Sequence, residues 1–234
     1  MRWIESDEMK IYFVRHGETK WNTEKKIQGQ TDIELNEFGR ILATKTGKGM
    51  EDVRFDMVFS SPLKRAYETA ELILAQNKAW NNQDNTIICD HRLKEIALGV
   101  YEGLCCNIDE NNRLDDNFLK FFADCVGYKK PEQGENFQEV INRIHSFLDE
   151  LLSRIDLLDK TILVVSHGVI NRGIVNYFTN NPIESYWNGG VHKNCGTTIV
   201  EYDGNQSVIE IENKVYYDDV VEEWHNFEKD GTQG

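Results

Sequence analysis

The chain has 234 residues, a formal net charge of −14 and a pI near 4.9. An acidic balance of that size excludes a general nucleic-acid binder, which needs clustered Lys and Arg against phosphate backbones. With 40% hydrophobic and 28% charged residues and only 3 prolines, it suits one globular domain, or one carrying an inserted subdomain, rather than a linker-rich array.

Residues 1–10 (MRWIESDEMK) are charged and lack an apolar core, so they do not read as a signal peptide. The longest apolar runs, such as Thr161 to Val165, are too short to span a bilayer. A cytoplasmic protein is the expectation. Five cysteines, none in a C-x-x-C pair, fit reduced thiols better than a disulfide framework.

In chain order, Lys10 to Arg15 (KIYFVR) reads as a buried strand that ends at the turn His16-Gly17. Leu35 to Lys48 has helical spacing, with Asn36 at its entry. Phe55 to Ser61 (FDMVFSS) is a second strand, followed by a helix from Pro62 to Gln76 in which Ser61 caps and Pro62 takes the first helical position. Residues 105–134 are polar, then aromatic, with one short helix near Phe118 to Cys125, and read as a cap inserted over the sheet. Phe137 to Leu152 is helical and contains His145. Thr161 to Ser166 (TILVVS) repeats the first strand's design and ends at His167-Gly168, with a helix over Val169 to Phe178. Gly196 to Tyr202 and Ser207 to Asn213 are two strands joined by Asp203-Gly204-Asn205, a hairpin signal. The acidic tail, 218–234, would dock Trp224 and Phe227 through a turn of helix. Strands alternating with helices predict a three-layer α/β/α fold around a mostly parallel sheet.

Chemistry concentrates at the strand ends, where open α/β sheets bind ligands. Arg15-His16-Gly17 delivers a guanidinium and an imidazole there, followed by Asn22 and Gln28, whose amides donate hydrogen bonds without adding charge. Ser166-His167-Gly168 delivers a second imidazole. In Ser60-Ser61-Pro62-Leu63-Lys64-Arg65-Ala66, Arg65 lies one turn into a helix, where its planar fork suits two phosphate oxygens. Arg92-Leu93-Lys94-Glu95 offers a carboxylate in a loop; paired with Arg92 or Lys94, that carboxylate would be merely structural. Glu18 and Glu102 also read as structural, and Trp21, Trp187, Phe121 and Phe122 as core or cap packing.

These elements, in this order and joined by Gly134-Glu135-Asn136 before a helix, resemble the histidine phosphatase superfamily, the phosphoglycerate mutase-like fold, over about residues 10–203. The resemblance implies a metal-independent phosphatase with no cofactor, acting on a small phosphorylated metabolite. His16 would be the nucleophile that takes the phosphoryl group. Arg15, Arg65 and His167 would surround the phosphate, with Asn22, Gln28 and Gly168 completing the site, and Glu95 would be the general acid. The chemistry agrees: nearby arginines disfavour the imidazolium and stabilise a transferring phosphoryl group, so a cationic pocket reconciles an acidic surface with an anionic substrate. A phosphoglycerate mutase is the near rival. The long basic, proline-rich substrate loop of cofactor-dependent mutases has no counterpart here beyond Lys129-Lys130-Pro131, which favours water as acceptor. A non-catalytic phosphate-binding module is the third reading, disfavoured because both nucleophile and acid are present. Specificity should lie in 105–134 and in Tyr186 to Lys193. The pattern leaves the substrate and the oligomeric state open.

Overall fold

A computed structural model describes residues 8–80, 86–106 and 114–219. Six strands form one sheet: β1 (Met9–Arg15), β2 (Met57–Ser60), β3 (Ile87–Cys89), β4 (Thr161–Ser166), β5 (Thr197–Tyr202) and β6 (Ser207–Lys214). The order is β3-β2-β4-β1-β5-β6, parallel from β3 to β1 and antiparallel at β5 and β6. The helices are α1 (Lys20–Thr23), α2 (Glu37–Gly49), α3 (Lys64–Leu74), α4 (Asp116–Ala123), α5 (Phe137–Leu152) and α6 (Gly168–Thr179).

β1 and β4 are almost wholly buried, as strands covered on both faces must be. Their alternation divides the core. Ile11, Phe13, Ile162 and Val164 pack with Val140 and Ile144 of α5 and Ile170 and Ile174 of α6. Tyr12, Val14, Leu163 and Val165 pack on the other side with Ala66, Ala70 and Ile73 of α3. The result is the three-layer α/β/α arrangement expected from the sequence. Among the described residues no helix is long and apolar enough to cross a membrane.

Register places the chemistry. Arg15 pairs with Ser166, so β1 and β4 stop at one level, and Ser60 pairs with Val165, so β2 stops one residue short of it. The next residues, His16, His167 and Ser61, therefore emerge together at the carboxyl edge. His16 N donates to Ser166 O at 2.9 Å and Ser61 N to Val165 O at 2.9 Å, extending the ladder by one step.

Several local expectations need correction. The helix after β2 begins at Lys64, with Leu63 as its cap residue and no side-chain cap. Leu63 is still extended, and distant Asp32 takes the Lys64 N–H at 2.8 Å instead. The edge strand β3 and the single turn α1, pinned by reciprocal Thr19–Asn22 bonds, were absent from the sequence reading. In the 105–134 segment the helix is α4, starting at Asp116 behind an Asp115 cap, two residues earlier than expected. Its Phe118 and Phe121 stack at 5.5 Å, and Phe121 meets Trp187 at 5.5 Å, so α4 packs beside the sheet's carboxyl edge. The expected docking of Trp224 and Phe227 lies outside the described residues.

Gly17 and Gly39 make the His16 turn possible through close backbone approach. A Cβ on Gly39 would lie 2.1 Å from Glu18 O, and one on Gly17 would lie 2.6 Å from Gly39 O. Backbone cannot yield as a flexible side chain does. Gly39→Ala is therefore expected to destabilise the protein by about 1–3 kcal/mol in urea unfolding, whereas exposed Glu71→Ala stays within about 0.5 kcal/mol.

Candidate active site

His16 is buried, and its Nδ1 lies 2.7 Å from Gly17 O. A carbonyl only accepts, so Nδ1 carries the proton and the lone pair of the neutral ring sits on Nε2. Burial first, then Arg65 and Arg15, hold this imidazole's pKa well below the usual histidine value. It is thus neutral at physiological pH. Its ring centroid is 5.1 Å from that of His167, which is kept neutral by burial and by Arg65. His167 Nε2 shares a 2.8 Å hydrogen bond with Ser61 Oγ, while its buried Nδ1 finds no partner among the described residues.

The two arginines are held by carbonyls rather than carboxylates. Arg15 Nη1 donates to His192 O; Arg65 Nη1 and Nη2 donate to Thr31 O at 2.9 Å and Gly29 O at 2.7 Å. Neither is ion-paired with a carboxylate among the described residues, and the buried Nε of each has no acceptor among them. Burial lowers the Arg65 pKa to about 10, which still leaves it charged. The cleft therefore presents two uncompensated charges to an anion.

Glu95 faces the same cleft. Its Oε1 accepts from Ile96 N at 3.1 Å and its Oε2 from Val169 N at 3.3 Å. Burial raises its pKa, against the pull of Arg65 and these backbone donors. The alternative pairing with Arg92 is not formed: Arg92 instead binds Asp90 at 2.6 Å and Glu150 at 2.7 Å. Asn22 and Gln28 line the cleft beside Arg15, His16, Arg65 and Glu95. Asn22 Oδ1 is occupied by Thr19 N at 3.0 Å, which leaves Nδ2 for a ligand. Gln28 Oε1 has no donor among the described residues. Gly168 opens α6, where a Cβ would stand 3.6 Å from Arg15 Nε and 3.8 Å from Glu95 Oε2. Its missing side chain keeps the centre of the site open.

Of the site residues singled out from the sequence, Arg15, His16, Asn22, Gln28, Arg65, Glu95 and Gly168 line one cleft, and His167 lies buried beside His16. Ser61 was read only as a helix cap; its bond to His167 crosses between strand ends and leaves no local signal. Glu18 and Glu102 are structural, as expected. Glu18 accepts from Asn36 at 2.7 Å, and Glu102 takes the N–H groups of Gln30, Thr31 and Leu98. The packing assignment of Phe121, Phe122 and Trp187 needs extension: they form an aromatic cluster and also line the cleft, with Phe118, Val169 and Val191.

Two neutral imidazoles, two guanidiniums with no carboxylate partner among the described residues and a buried carboxyl thus share the carboxyl edge of a mostly parallel sheet, an arrangement suited to holding a phosphate group. The chain belongs to the histidine phosphatase superfamily (branch 1), whose family model matches residues 11–214. It is 30% identical to the putative phosphoserine phosphatase 2 of Hydrogenobacter thermophilus, over 88% of this chain and 96% of that protein. It is 31% identical to the probable phosphoglycerate mutase GpmB of Escherichia fergusonii, over 85% and 87% of the two chains. Among solved structures, Bacillus stearothermophilus YhfR superposes with a TM-score of 0.78 at 33% identity, covering 88% of this chain and 98% of that one. The Entamoeba histolytica phosphoserine phosphatase in complex with 3-phosphoglyceric acid gives 0.74 at 28% identity, covering 88% and 98%.

A site of this kind should bind free phosphate. Inorganic phosphate at a hundredfold excess over its Kd should stabilise the protein by about 2.7 kcal/mol, raising Tm by roughly 5–10 °C relative to KCl at equal ionic strength. Arg65→Met should abolish that shift in differential scanning fluorimetry.

Proposed function

We propose that this chain is a metal-independent phosphomonoesterase that transfers phosphoryl groups through His16 to water. The observation that carries the reading is the unprotonated Nε2 of His16 in a cleft it shares with two buried guanidiniums that have no carboxylate partner and whose Nε groups have no acceptor among the described residues. In the first step Nε2 attacks phosphorus and the ester P–O bond breaks. Glu95, whose burial favours the protonated form, gives its proton to the departing alkoxide. In the second step the Glu95 carboxylate takes a proton from water, the oxygen attacks phosphorus, and the P–N bond breaks. Phosphate leaves, His16 is again neutral and Glu95 again protonated. Arg15, Arg65 and His167 hold the equatorial oxygens with Asn22 and Gln28, and Gly168 leaves them room. The guanidiniums supply the charge stabilisation that metal ions supply in other phosphoryl-transfer enzymes.

The substrate class is a small phosphorylated metabolite, and five free cysteines suit a reducing compartment, the cytoplasm. We read 1–234 as one histidine phosphatase domain, with 105–134 as its cap and 218–234 as an acidic tail. Relatives named as phosphoglycerate mutases keep a mutase in view. A mutase must retain a carboxylated intermediate product while it turns over. Here the leaving-group side is largely apolar, and Lys26, the one lysine lining the cleft among the described residues, is paired with Glu24 at 2.9 Å. Lys130 is paired with Glu139 at 2.7 Å. That wall favours release of the alcohol and hydrolysis.

The test is phosphate release from a panel of monoesters in EDTA, with 2- and 3-phosphoglycerate interconversion followed in parallel. The expected result is chelator-resistant hydrolysis that falls at least ~10³-fold in His16→Ala. Rapid isomerisation with negligible phosphate release would replace this reading with the mutase.

A further inference from the structure

The Glu95 loop is held by a guanidinium that sits outside the cleft. Arg143 lies on α5, and all five of its N–H donors are used. Its Nε donates to Glu135 Oε1 at 2.9 Å, and its Nη2 to Glu135 Oε2 at 3.0 Å and to Glu95 O at 3.1 Å. Its Nη1 donates to Arg92 O and Lys94 O, both at 2.6 Å. Three carbonyls of one loop thus converge on one planar fork, a geometry that an ammonium with three donors cannot reproduce.

Glu135 completes the clamp. Its Oε2 accepts the Ala97 N–H at 2.8 Å, and its own N–H donates to Ala97 O at 2.8 Å. Glu135 is itself fixed just before α5, whose Asn136 cap and Glu139 exchange bonds of 2.9 and 3.0 Å. Gln30 Nε2 also donates to Glu95 O at 3.0 Å and reaches Glu135 Oε2 at 3.5 Å. The backbone from Arg92 to Ala97 is therefore tied at four successive or near-successive residues, while the Glu95 side chain rests on only two longer backbone bonds of 3.1 and 3.3 Å. The carboxyl's position is set chiefly by what holds its backbone.

We propose that Arg143, through its paired Glu135, is a positioning residue that aims the Glu95 carboxyl at the leaving-group oxygen. The proposal rests on the reading of Glu95 as general acid. A misplacement of about 1 Å can cost on the order of 10²-fold where a proton must be transferred. It should cost little where the leaving group departs without one.

The experiment measures kcat/KM, which reports the phosphorylation step, for benzyl phosphate and p-nitrophenyl phosphate. The proteins are full-length wild type, Arg143→Met, Arg143→Lys, Glu135→Gln and Glu95→Gln. Arg143→Met should lower kcat/KM about 10²-fold for benzyl phosphate but under about fivefold for p-nitrophenyl phosphate, the selectivity shown by Glu95→Gln itself. Arg143→Lys and Glu135→Gln should show the same selectivity to a smaller extent, and they decide the matter if Arg143→Met does not fold. Equal losses on both esters, or no loss, in these variants beside a selective Glu95→Gln would overturn the positioning role and leave the function intact. A Glu95→Gln variant without selectivity would overturn the acid assignment and this proposal with it.

Discussion

Burying the guanidiniums of Arg15 and Arg65 costs several kcal/mol per charge even after relaxation, and here no carboxylate pairs with either among the described residues. Backbone carbonyls of Gly29, Thr31 and His192 offset part of that cost. Much of the site's behaviour follows from these two charges. They help to keep His16 and His167 neutral and draw the pKa of Glu95 back toward its ordinary value against burial. They also resolve the conflict between a chain of net charge −14 and an anionic ligand, because the positive field is local to one low-dielectric cleft.

The fold is the device that holds such a cluster together. Parallel register between β1 and β4, and between β4 and β2, brings His16 and His167 to one level and Ser61 to within one residue of it. The close glycine contact between the His16 turn and α2 fixes the turn from below. Around that rigid edge, the leaving-group side is built from less regular pieces: α4 with its stacked phenylalanines, and the loop carrying Trp187 and Val191. On the proposed reading, phosphate recognition falls to the strand ends, and the alcohol's surroundings to α4 and the Trp187 loop.

Much of this was legible in the sequence because it is local. Continuous apolar runs announced β1 and β4, and each ran straight into a His-Gly pair that needed no tertiary knowledge to notice. Asn36 and Asn136 were readable as helix entries, and both accept the N–H three residues on. What escaped was set by partners far along the chain. Asp32 caps α3 from 32 residues away. Ser61 serves His167 from 106 away, and Arg143 reaches Glu95 across 48. β3 was missed for another reason: three residues, two of them exposed, carry no periodicity against which a strand can be recognised.

The central claim is a covalent bond between phosphorus and His16 Nε2, and trapping it tests the account most directly. The protein would be mixed with a ³²P-labelled aryl phosphate, quenched within milliseconds in alkaline detergent, digested and mapped by mass spectrometry. The account predicts label that survives alkali, is lost in acid and resides on the peptide carrying His16. Label on another residue, or turnover with no labelled protein at any quench time when release of phosphate is slowed by Glu95→Gln, would contradict it.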